Sequence, residues 1–126
     1  MKRILLTIIL AVTAVLSAAG QNITISENIP ESAAAILRPR LEAMLRSAGL
    51  TETPLEADAT VTDRMETSGS ITQLALTVEL VLSSGEVRES FILKGIGSDE
   101  ADAWQRAMKQ FLPRSKATAD FLEKLK

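Results

Sequence analysis

Cysteine, histidine and tyrosine are all missing from the 126 residues of this chain, and aromatic side chains make up only 3% of it. Each absence closes a route. Without cysteine there is no disulfide framework, no thiolate metal site and no thiol nucleophile. Without histidine the commonest general base and the commonest metal ligand are both gone. Ser-His-Asp catalysis, Cys-His catalysis and zinc hydrolysis are therefore excluded in their usual forms. A basic surface is lacking too: 14 Lys and Arg stand against 16 Asp and Glu, a formal net charge of -2. That balance argues against nucleic-acid binding, which needs cations to neutralise phosphates.

What is present begins with an address. Met1-Lys2-Arg3 is a positive start, Ile4 to Leu16 carries no charge, and Ser17-Ala18-Ala19-Gly20 supplies small residues for a peptidase. This pattern reads as a secretory signal peptide over residues 1–20, cut before Gln21 or one residue earlier. The alternative is an uncleaved anchor, but spanning a bilayer takes about 20 apolar residues and this run is shorter. Membrane association is expected only in that case. No cysteine follows the run, so the chain is not a lipoprotein. The expected location is the periplasm or the exterior of a bacterium. Residues 21–126 remain as one domain, stabilised by packing alone because an exported chain without cysteine has no disulfide to staple it.

The mature chain alternates between two periodicities. Asn22 to Glu27 reads as a short strand, with Ile23 and Ile25 on one face. Pro30 and Glu31 suit a helix start. Ala34, Leu37, Leu41, Met44, Leu45 and Ala48 then form a helical stripe closed by Gly49. Pro39 inside it predicts a bend, at a cost of about 3 kcal/mol if nothing compensates. Leu50 to Leu55 reads as a connection. Ala59 to Glu66 alternates as a strand, Thr67 to Ser70 is a turn, and Leu74, Leu76, Val78, Leu80 and Leu82 line one face of the longest strand. Ser84-Gly85 is a hairpin turn, and Val87, Glu89, Phe91 and Leu93 share a face of the next strand. Ser98 is the expected N-cap of a helix whose stripe is Trp104, Ala107, Met108, Phe111 and Leu112, ending at Pro113. Residues 114–126 form a last helix, capped by Ser115, with Thr118, Phe121, Leu122 and Leu125 together.

The resulting order is β-α-β-β-β-α-α. It predicts an α+β fold: a single four-stranded mixed sheet, an antiparallel meander with helices packed on one face. A right-handed first crossover makes the first two strands parallel.

Few residues carry chemistry. Gly95-Ile96-Gly97 lacks the third glycine of a dinucleotide loop and the lysine of a P-loop, so it predicts a tight strand-to-helix bend and no phosphate site. Asp58, Asp63 and Glu66 form an acidic stretch that reads as a solvated rim; as catalytic carboxylates they would want an aromatic-lined sugar cleft. Neither a cofactor nor a metal is expected. Arg38, Arg40 and Arg46 make the first helix basic and are the candidate partner-binding residues, a sheet edge being the other candidate surface. Trp104 belongs to the core by its spacing.

The segments ADATVTDRMETSGSITQLALTVELVL and FILKGIGSDEADAWQRAMKQF, with the preceding SAGL, complete the picture. Over residues 22–112 the chain resembles small α/β modules of the bacterial cell envelope: the TolB N-terminal domain, the LpoB type of penicillin-binding-protein activator and the curli-secretion type of assembly protein. The resemblance implies a non-catalytic periplasmic role through contacts with another envelope protein, and it transfers no catalytic residue. Two alternatives stand beside it: a carrier holding a small apolar ligand between sheet and helices, and a carboxylate-based hydrolase. A homo-oligomer paired through the C-terminal helix is a further expectation.

Overall fold

A row of apolar residues at every second position between 55 and 97 builds the sheet, because side chains on a strand point to opposite faces in turn. A computed structural model describes residues 22–126; the signal peptide expected over residues 1–20, with its cleavage before Gln21, lies outside them. The strands are β1 (Ile23–Ile25), β2 (Leu55–Ser68), β3 (Ile71–Ser84) and β4 (Val87–Gly97). They form one sheet in the order β1-β2-β3-β4, with β1 parallel to β2 and the other pairs antiparallel. The helices are α1 (Glu31–Ser47), α2 (Glu100–Met108) and α3 (Lys116–Leu125). The fold is the expected α+β meander with a parallel first strand, the helices packing against one face.

The core lies between that face and the helices. Leu76, Val78, Leu80 and Leu82 of β3 are buried, flanked by Ala57 and Ala59 of β2 and by Phe91 and Leu93 of β4. Leu37, Leu41, Met44 and Leu45 cover them from α1, and Trp104, Ala107 and Met108 from α2. Phe91 meets Phe111 and Phe121 edge-on, with ring centroids 5.3 and 6.5 Å apart. Edge-to-face contact suits the ring quadrupoles. Phe121 and Leu122 thus dock α3 within the chain.

Several local expectations change. The strand expected from Ala59 to Glu66 runs from Leu55 to Ser68, so both β2 and β3 have 14 residues. Thr67 and Ser68 are ladder residues, and the turn is only Gly69-Ser70, with Gly69 at φ 65°. The N-cap of α2 is Asp99, one residue after Ser98, and its carboxylate accepts the Asp102 N–H at 2.8 Å. Helix α2 ends at Met108 and not at Pro113; Phe111 is still buried, but Leu112 is 56% exposed. Helix α1, by contrast, runs through Pro39 as a single helix, as expected. The carbonyl that Pro39 leaves without a donor, that of Ala35 one turn back, lies on an exposed flank of α1.

Gly95 and Gly97 do not bend the chain; they lie within β4. A Cβ on Gly95 would collide with the Ala103 carbonyl oxygen and come within 2.5 Å of the Ala107 nitrogen. One on Gly97 would sit 2.6 Å from the Ala103 nitrogen. Helix α2 therefore lies directly on the strand, small residue against absent side chain. Gly95→Ala must push α2 away, and overpacking of this kind costs about 1–3 kcal/mol. Urea unfolding should show Gly95→Ala destabilised by about 2 kcal/mol, with Ser90→Ala on the opposite face within about 0.5 kcal/mol of the parent.

Candidate interaction surfaces

The three arginines singled out in the sequence do not form one patch. At 100° per residue, positions 38 and 40 point to nearly opposite flanks of a helix, and the contacts follow. Arg38 Nη1 donates to the Ile23 carbonyl at 3.1 Å, tying α1 to β1. Arg40 Nη1 donates to the Phe111 carbonyl at 2.9 Å, fixing the turn that carries Phe111 into the core. Arg46 alone is exposed, in the last turn of α1.

The acidic residues are also dispersed. Asp58 and Glu66 share the face of β2 away from the helices, whereas Asp63 takes the opposite register. Among the described residues no three carboxylates gather closely enough to hold a metal ion. Asp58 instead ties the chain locally, since its Oδ1 accepts the Asn28 side-chain N–H at 2.9 Å and the Ala59 backbone N–H at 2.8 Å. The Asn28 hydrogen bond, then that of Ala59, holds the Asp58 carboxyl below the usual range. Asp102 is lowered as well, first by the Ser98 backbone N–H and then by Arg106.

What the fold exposes is the sheet itself. The face away from the helices carries Thr60, Thr62 and Arg64 of β2, Thr77, Glu79 and Val81 of β3, and Ile92, Lys94 and Ile96 of β4. Ile92, on the edge strand β4, is 59% exposed. Trp104 is buried on the other side, as its spacing implied.

Among the described residues, both long edges are open over most of their length. The Leu55 N–H and the Ala57 carbonyl bond toward β1, to Asn22 O and from Ser26 N. Alternation along β2 then aims the backbone groups of Val61, Asp63, Met65 and Thr67 outward. Carried through the registers with β3, the same alternation aims those of Arg88, Ser90, Ile92, Lys94 and Ile96 outward from β4. Beside that second edge runs a groove of about 550 Å³ between β4 and α2, lined by Lys94, Gly95, Ile96, Asp102, Arg106 and Lys109 among others. Arg106 pairs with Asp102 at 3.1 Å; among the described residues Lys94 and Lys109 are in no ion pair. The groove is net positive.

No known protein family, curated protein or solved structure matches the chain. Its surfaces are read from their own geometry. The groove was missed in the sequence because Lys94 and Lys109 belong to different elements, and only the glycine-mediated approach of α2 to β4 brings them together.

Two measurements check these assignments. A hydrogen bond from a charged donor contributes about 1.5–3 kcal/mol, so Arg40→Ala should lower unfolding free energy by about 1–2 kcal/mol, while Arg46→Ala changes it by less than about 0.5 kcal/mol. Asp58 is depressed in the folded state, so its stabilisation is present above the unfolded value near pH ~3.9 and lost as pH falls through the folded value. Asn28→Ala removes the largest cause. An NMR titration should show the Asp58 carboxyl moving upward, and the stability difference seen at neutral pH should shrink in acid.

Proposed function

We propose that this chain is an exported, non-enzymatic module of the bacterial cell envelope that works through protein contacts. Its partner is a second envelope protein, which adds an extended, acidic segment to the outer edge of β4. The observation that carries this reading is the open edge of β4 with a positive groove at its side. An unpaired strand offers a row of N–H and C=O groups to an incoming strand. Main-chain bonds give such a complex its affinity, and flanking side chains select the sequence. Here Lys94 and Lys109 favour carboxylates on the added strand.

Export rests on the charge-free run after Lys2 and Arg3, and the envelope role on the resemblance carried by residues 22–112. The arginine version of the contact has less support, because Arg38 and Arg40 already hold carbonyls inside the chain. The carrier alternative needs space between sheet and helices, where Leu37, Leu41, Met44, Val78 and Leu80 are fully buried against one another.

Photo-cross-linking from position 92 in the living host tests the assignment. A discrete adduct with one envelope protein is expected, and Lys94→Glu with Lys109→Glu should reduce it about tenfold or more through like-charge contact. An adduct of undiminished yield in the double variant, or none from any outward position of β4, contradicts the reading.

A further inference from the structure

We propose that two copies of this chain join through the outer edges of β2, antiparallel about a two-fold axis at Met65. Strand β1 covers only Leu55 to Ala57, and the Asp58 carboxylate occupies the Ala59 N–H just beyond it. From Val61 to Thr67 the outward backbone groups meet no strand among the described residues. This stretch belongs to an arm that the helices do not cover: Met65 is 61% exposed although it sits opposite Leu74 in the core-facing register.

Charge selects the occupant. Pairing a strand with its own copy places residues symmetrically about the axis, and like charges directly opposite are destabilising. An axis at Asp63, Arg64 or Glu66 sets that residue against itself. An axis at Thr62 sets Asp58 against Glu66. An axis at Met65 sets Arg64 of each copy against Glu66 of the other, Met65 against Met65, Asp63 against Thr67 and Thr62 against Ser68. Arg64 and Glu66 already form an ion pair within one chain, on the face away from the helices. In the pair the four charges alternate in sign around a square. The same register brings Val61 opposite Gly69, so the hairpin turn of one copy reaches the groove of about 390 Å³ lined by Asn28, Ala59, Val61, Glu100 and Trp104 of the other. The product is one continuous sheet built from two four-stranded halves, with β4 free at both ends. It stands independently of what β4 binds.

Because the chain has no cysteine of its own, single substitutions report the register directly. In protein recovered from its host and oxidised, Met65→Cys should cross-link almost completely into dimers. Asp63→Cys should not, since its own copy lies four residues along the strand, about 13 Å away and beyond disulfide reach of about 7 Å. By sedimentation, Arg64→Glu should weaken the unlinked dimer about tenfold or more, and adding Glu66→Arg should restore it. The proposal is overturned by a parent chain that stays monomeric up to about 1 mM. Cross-linking of Asp63→Cys as complete as that of Met65→Cys, or no rescue by the double exchange, overturns it equally.

Discussion

Strands outrun helices in this chain, and most of its surface follows from that mismatch. Strands β2 and β3 have 14 residues each, about 46 Å of ladder, whereas the 17 residues of α1 extend about 26 Å and the nine of α2 about 14 Å. A helix can bury only the length of sheet it lies on. Where helices lie over β3, Leu76 to Leu82 are dry on the inner face. Past their reach the same alternating pattern continues through Met65, which is 61% exposed opposite Leu74, whereas Val61, opposite the buried Val78, is exposed at the open edge of β2. The covered half is a core and the uncovered half an arm.

Covering even that half requires α2 to approach closely. Gly95 and Gly97 remove two side chains where Ala103 and Ala107 come down, so the helix backbone rests on the strand. The descent brings Trp104 and Met108 into the core and sets Arg106 and Lys109 beside the edge of β4. Packing and the positive groove have the same cause. Arg40 performs the next step: by holding the Phe111 carbonyl it fixes the turn between α2 and α3, and Phe111 then completes the edge-on trio with Phe91 and Phe121.

Much of this was legible in the residues. Period-two alternation disclosed the meander because one sheet face is buried and the other is not, and Ser115 caps α3 as its position implied. Other features were not legible. The stripe from Trp104 to Leu112 looked like one helix because the residues after Met108 continue in tighter turns, with Gln110 N–H on Ala107 O and Phe111 N–H on Met108 O. Leu55 to Asp58 was hidden behind Pro54 and a polar connection; its strand character comes from pairing with β1, a tertiary effect. Arg38 and Arg40 read as a basic side because charge counts ignore angle, and their carbonyl targets lie 15 and 71 residues away in the chain. Val61 and Met65 share the core-facing register of β2 and are exposed all the same, because alternation reports a face and says nothing of what covers it.

A sheet with one roofed face, one bare face and two open edges is built to present backbone and side chains outward, which fits a role through protein contacts. That asymmetry is the central claim, and thiol labelling along β3 tests it most directly because the parent chain has no cysteine. Glu79→Cys should react nearly as fast as a thiol in an unfolded peptide, and the half-buried Thr77→Cys more slowly but still readily. Val78→Cys, between them, should react only when the molecule opens globally. Equal rates at the three positions would contradict the account.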